Sequence, residues 1–278
     1  MKSKHSLVKL FLLFIIGISS DIYAQTDYIS ISVPHIDSPY NTSDAVNSLT
    51  EHFSIGTTYT NNFFLPQVGL ADLKIVYHTK PLNISAGASF YGYSEFYGIN
   101  ASLGFSHYFK PYIAIGLEAF FRGYRFSGDT GFKATGGLNI SLLAFPTKKI
   151  AIGLYAENVS FSPIRANGIT YRVPTSFYVA FSYSFTQDIM LAIEGVKELK
   201  SPFLIRLDFE YRPVRQFILR CGTSYQTSAS ANIGFGLRFG KFILDANVKY
   251  NVRVSWGCQV GIGIQMCNVK LKNEKRNH

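Results

Sequence analysis

Twelve charged side chains recur at alternate positions of otherwise apolar segments: Glu118, Arg122, Glu157, Glu194, Arg206, Asp208, Glu210, Arg212, Arg220, Arg238, Asp245 and Lys249. The run 203–212 shows the pattern most plainly. Phe203, Ile205, Leu207, Phe209 and Tyr211 fall on one row, and Arg206, Asp208, Glu210 and Arg212 on the other. Acids and bases set side by side in a confined space pair, because pairing offsets the cost of taking each charge out of water. Two chemistries fit such a row. One is a salt-bridge network that stiffens or blocks an interior. The other is a selectivity lining for a charged solute.

Catalytic chemistry finds little to work with. His35, His52, His78, His107 and His278 are scattered, and none stands beside a Ser and an acid at a recognisable spacing. A lipid-cleaving enzyme would need such a Ser–His pair on its apolar wall. Cys221, Cys258 and Cys267 lie too far apart in sequence to form a metal-ligand pair, and Cys258 and Cys267 have opposite parity on one segment. Gly234-Phe235-Gly236 and Gly261-Ile262-Gly263 sit inside alternating segments with no helix after them, unlike a nucleotide-binding turn. They fit a lumen that must be wide or must admit a plug. The expectation is therefore a protein that is not an enzyme and holds no cofactor or metal.

The elements that position the charged row are strands. The chain has 278 residues, of which 47% are hydrophobic, 15% aromatic and only 16% charged. Soluble domains average about 25% charged residues, and disorder needs high charge with little apolar bulk. From 51 to 268 about fourteen segments, each of roughly ten residues, alternate apolar with small or polar residues, the signature of one buried and one differently solvated face. The segment 68–78 loses parity near Gly69–Ala71, where a β-bulge would restore it. The second row is mostly Gly, Ser, Ala, Asn and Gln with scattered charges. That composition suits a polar lumen, with the apolar row facing lipid. A closed barrel is the only sheet that leaves no unpaired backbone in hydrocarbon. Trp256 and Tyr250 mark one set of strand ends, and Tyr211, Phe217, Phe239 and Phe242 the other, as interfacial aromatics do. Tight turns such as 78–81, 145–149 and 238–241 alternate with longer links, 160–174 among them.

The fold expected is all-β: a single transmembrane antiparallel barrel after an N-terminal signal peptide. Residues 1–24 form the signal, with Lys2, Lys4 and Lys9 before a short apolar run, Leu10–Ile18, and Ala24 offering a cleavage point. Residues 25–50 are either a periplasmic leader or a lumen plug. Residues 51–268 make the barrel, and 269–278 a basic periplasmic tail. The excess of 27 Lys and Arg over 17 Asp and Glu gives a net charge of +10. In an exported, strand-rich chain this does not point to nucleic acid. The partner expected first is the lipid of a bacterial outer membrane.

The stretch 149–186, KIAIGLYAENVSFSP…YRVPTSFYVAFSYSFT, resembles the PorV/PorQ outer-membrane barrels of Bacteroidetes, relatives of the FadL transporters. The matching positions are Glu157, Asn158, Val173 and Pro174, where a strand ends in Asn, a loop follows, and a Pro step leads into an aromatic strand. The chain departs from that family at 26–49, where TDYISISVPHIDSPYNTSDAVNSL replaces a Gly/Ala-rich lead into an Asn-Pro-Ala step. The resemblance implies a barrel that docks secretion-system proteins of the type IX pathway. The FadL relationship implies the alternative, a passive channel for small or hydrophobic molecules.

Overall fold

Period-two alternation becomes strands here because each segment can satisfy its backbone only against neighbours on both sides. The computed structural model describes residues 32–35, 43–50, 52–62, 64–65, 67, 69–93, 96–126, 131–166, 169–253 and 255–266. The segments expected to form a signal, 1–24, and a basic tail, 269–278, lie outside the described residues. A one-turn helix, α1 (Asp44–Asn47), precedes the strands. They are β1 (Phe53–Asn62), β2 (Gly69–His78), β3 (Asn83–Tyr93), β4 (Phe96–Phe109), β5 (Ile113–Phe126), β6 (Lys133–Ala144), β7 (Ile150–Glu157), β8 (Pro163–Ala166), β9 (Ile169–Arg172), β10 (Ser176–Ser184), β11 (Ile189–Glu198), β12 (Leu204–Val214), β13 (Phe217–Tyr225), β14 (Ala229–Phe239), β15 (Phe242–Asn251) and β16 (Ser255–Gln265).

Fourteen of these strands close into one antiparallel barrel in sequence order, with β7 pairing directly to β10 and β16 to β1. The remaining two, β8 and β9, form a separate hairpin within the β7–β10 connection, a link read from sequence as a plain loop. The seam β1–β16 runs unbroken from Ser54↔Gln265 to Asn62↔Gly257. Across it the Gln259 side-chain amide donates to Thr60 Oγ1 at 3.1 Å.

The two rows of each strand part as their chemistry requires. Ile233 on the outer face is 65% exposed, whereas Glu194 and Glu210 on the inner face are 0% exposed. Outward residues such as Leu117, Phe121, Leu207 and Phe235 form an apolar belt with no protein layer over it. In water such a belt would be untenable, and in acyl chains it is the favourable surface. Among the described residues no helix is long and apolar enough to cross a membrane.

One expectation about register needs correction. No bulge forms at Gly69–Ala71: β1 and β2 pair continuously from Phe53↔Tyr77 to Asn61↔Gly69. The parity is lost in sequence because Leu70 and Val76 are apolar yet turn inward, where both are buried. The register does shift elsewhere, between Tyr211 and Val214 of β12, around Pro213. Pro213 has no amide to give to the ladder, which fits its place at the irregularity.

An even number of barrel strands puts the N-terminal side of β1 and the C-terminal side of β16 at the same end. The connections 79–82, 110–112, 145–149, 185–188, 215–216 and 240–241 also lie at that end. These are shorter than most links at the other end, the arrangement bacterial barrels keep with their short turns on the periplasmic side. The opposite, outer end carries the β7–β10 excursion.

Candidate functional site

The lumen is built in three levels. The first, nearest the periplasm, is occupied by the chain itself. Residues 32–35 and α1 lie inside the barrel, and Val33, Ala45 and Val46 pack on inward Ala114, Leu143, Ala151, Ala180 and Ala192. Small inward residues make this approach possible. A Cβ on Gly116 would stand 2.7 Å from the Ala45 amide nitrogen, and one on Gly104 or Gly153 would collide with the Asp44 carboxylate or the Ser32 carbonyl. Polar contacts fix the helix in place. The Ala45 amide donates to Ser141 Oγ at 2.9 Å, and Ser85 Oγ donates to Asp44 Oδ1 at 2.6 Å. The Asn83 amide donates to the carbonyls of Asn47 and Thr50 at 2.8 and 3.0 Å. Burial pushes the Asp44 carboxyl above the usual carboxylate range, against the pull of the Lys74 ammonium.

The second level is ionic. On one wall Lys74 Nζ lies 2.6 Å from Glu118 Oε2 and 3.4 Å from Asp44 Oδ1, and the Asn139 amide donates to Glu118 Oε1 at 2.8 Å. On the facing wall Arg206 pairs with Glu194 at 2.7 Å, whose other oxygen accepts the Ser32 amide at 3.2 Å. Beside it His35 Nδ1 meets Glu210 Oε1 at 2.6 Å, and Arg220 Nε reaches the same oxygen at 3.2 Å. The Arg220 guanidinium also pairs with Asp245, which accepts the Asn247 amide at 2.6 Å. The inner segment is thus tied to both walls, by α1 on one side and by Ser32 and His35 on the other.

The structure places the twelve charged residues at different heights. Glu118, Glu194, Arg206, Asp208, Glu210, Arg220 and Asp245 are buried on the inner face. Arg122 and Glu157 form a separate pair nearer the outer end, at 2.8 Å, with the Arg122 guanidinium 5.0 Å from the Phe120 ring centroid. Arg212 stands at the periplasmic rim and pairs with Asp188 at 2.9 Å. Arg238, near the same rim, and Lys249, toward the outer end, are half-buried on the inner face. Lys74, Asp44 and His35 are the members that sequence reasoning missed.

The third level, toward the outer end, is apolar and aromatic. Leu70, Tyr91 and Phe96 are buried on the inner face with Tyr93 and Tyr124 packed against them. Phe96 stacks on Tyr124 with centroids 6.5 Å apart and meets Tyr91 edge-on at 6.0 Å. A second inward cluster joins Tyr155, Tyr178, Val196 and Leu204, with the two tyrosine rings 5.3 Å apart.

Asn158 anchors the outer excursion. It is fully buried, with φ of 52°, a left-handed conformation that Asn tolerates better than most residues. Its side-chain amide donates to the Val173 carbonyl at 3.1 Å, its side-chain oxygen accepts the Ser162 amide at 3.0 Å, and its own amide donates to Asn139 Oδ1 at 2.8 Å. Both ends of the loop therefore close on one residue. Pro174, next to Val173, is half-buried at the step into β10.

Among the described residues no group of three or more His, Cys, Asp or Glu is placed to hold a metal ion. No family model matches the sequence, and no curated protein matches it. Solved structures do match the fold. A FadL homologue from Pseudomonas aeruginosa is similar at a TM-score of 0.62 and 8% identity, covering 86% of this chain and 100% of that one. The CymD monoaromatic hydrocarbon channel gives 0.61 at 11% identity, over 85% of this chain and 93% of its own. The toluene transporter TodX from Pseudomonas putida gives 0.58 at 11% identity, over 84% and 94%.

The protein is a bacterial outer-membrane β-barrel. At such identities the likeness is one of fold. It covers the FadL side of the sequence resemblance and does not separate out the PorV/PorQ branch.

Proposed function

We propose that this barrel is a FadL-like channel for small hydrophobic molecules. The observation that carries the reading is the aromatic inner wall of the outer half. A passage for polar solutes has no use for inward Leu70, Tyr91, Phe96, Tyr155, Tyr178, Val196 and Leu204. A hydrophobic solute does, because leaving water for such a wall is favourable in proportion to the apolar area covered. The ionic level and the inner segment lie beneath that wall, so a solute captured there meets a closed floor that must rearrange before it can pass. Two of the fold neighbours are described as a monoaromatic hydrocarbon channel and a toluene transporter, which favours a solute of that size and polarity.

Uptake of a small aromatic hydrocarbon tests the reading in cells whose outer membrane lacks its own hydrocarbon channel. Expression of this protein should raise uptake several-fold, and Tyr178→Arg should remove most of the gain while the barrel still assembles. Entry of a polar sugar with no gain for the hydrocarbon would overturn it. A second reading, a barrel that docks type IX secretion proteins, is favoured by the brevity of the outer connections apart from 158–175. Co-purification of secretion subunits with no hydrocarbon uptake would favour that reading instead.

A further inference from the structure

We infer that the periplasmic rim of the barrel binds the headgroups of anionic phospholipids. Five of its six turns carry a basic residue: Lys80, Lys110, Lys148 with Lys149, Arg215 and Lys241. All six side chains are exposed. None makes an ion pair or a side-chain hydrogen bond with a described residue. The sixth turn holds the single acid, Asp188, and Arg212 already occupies it at 2.9 Å. An ordinary solvated surface mixes both signs. This ring is one-signed, and it encircles the barrel instead of sitting on one side, so its complement is a surface that also encircles the barrel.

Depth identifies that surface as lipid. Lys110 lies between Phe109 and Tyr112, which are 56% and 64% exposed on the outside. Lys241 lies between Phe239 and Phe242, each 56% exposed. Aromatic rings in this position mark the boundary between acyl chains and headgroups. A cation one or two residues farther along, at a rise of about 3.3 Å per residue, falls in the phosphate layer. A soluble anionic partner would not require the cations to be spread around the whole circumference. Each basic residue near an anionic lipid surface favours it by up to about fivefold. Six of them give a substantial preference even if most of that is lost to screening.

The test is lipid retention by the full-length protein purified in nonionic detergent, read by native mass spectrometry. Phosphatidylglycerol and phosphatidylcholine of identical acyl chains are offered in equal amounts. Phosphatidylglycerol should be retained at least about tenfold better at low salt, and the difference should collapse near 1 M salt, where the Debye length is about 3 Å. The variant K80Q/K110Q/K148Q/K149Q/R215Q/K241Q should lose the preference, whereas K200Q/R253Q at the outer end should keep it. Heat-modifiable gel mobility verifies folding. If the sixfold variant does not fold, K80Q/K110Q and K148Q/K149Q must each lower the preference at least about threefold. Equal retention of the two lipids by the unaltered protein overturns the proposal. So does a preference that survives the rim substitutions, or one abolished by millimolar glycerol phosphate, which would mark a site for a free anion.

Discussion

The Arg220 guanidinium on β13 crosses over Gly236 of β14 to pair with the Asp245 carboxylate on β15. Gly236 leaves it room: a Cβ there would stand 3.0 Å from Arg220 Nη1, so the guanidinium would have to shift by a few tenths of an ångström. Arg220 also serves Glu210, so one cation holds two buried carboxylates. Arg220→Met should therefore destabilise the barrel by about 3–5 kcal/mol, the usual cost of leaving buried charge uncompensated. Thermal unfolding in detergent would measure this. A companion change, Asp245→Leu, should recover part of the loss.

The Lys74 cluster has a strong arm and a weak one. The 2.6 Å contact to Glu118 is charge-assisted and short, while Asp44 stands at 3.4 Å. Lys74→Met should cost about 3 kcal/mol, and Asp44→Ala clearly less, because the stronger pair survives it. Matched unfolding midpoints would rank the two, and a larger loss for Asp44→Ala would contradict the ranking.

Gly153 holds the floor of the lumen open to the inner segment. In Gly153→Val the new side chain takes the space of the Ser32 carbonyl, and the Glu194 carboxylate loses its amide donor. The segment should leave its seat while the wall strands persist. In a C221S/C258S/C267S background, S32C should then react with a soluble thiol reagent on the order of ten times faster, the scale of a loss of about 1.4 kcal/mol of seating. Unchanged labelling would mean that the glycine does not control the seat.

Asn158 combines a strained backbone with three anchoring contacts, and substitutions can separate the two. Asn158→Gly relieves φ but removes the side chain, whereas Asn158→Ala removes the side chain and keeps the strain. Both should loosen residues 158–175, Ala more than Gly, by about 1–3 kcal/mol for the lost buried hydrogen bonds. Limited proteolysis from outside the cell should nick the loop in the order Ala, Gly, unaltered protein.

The barrel was legible in the sequence because period two is a local signal repeated fourteen times. Ile205 and Arg206 announce their opposite faces from adjacent positions. Lys74 was not legible, since its neighbours Leu70 and Val76 are apolar on the same inward row and hide the polar face of β2. Asp44 and His35 were hidden differently. Their partners lie far along the chain, 175 residues away for His35 and Glu210, and no periodicity records such a contact. The inward glycines gave the best hint, as residues placed where a side chain would obstruct an occupant. The hairpin β8–β9 passed for a loop because four-residue strands are too short to display alternation. The rim cations were plain to read one by one, but only the closed topology arranges them in a circle.

The Thr60–Gln259 contact at the seam joins residues 199 apart in the chain. No cylinder can exist until the ribosome and the export machinery have delivered almost the entire polypeptide. A stop codon anywhere before Ser255 leaves a curled ribbon with two bare edges, a template for aggregation and a target for proteases. Selection against truncation should thus be all-or-none, with no smaller pore available as a compromise.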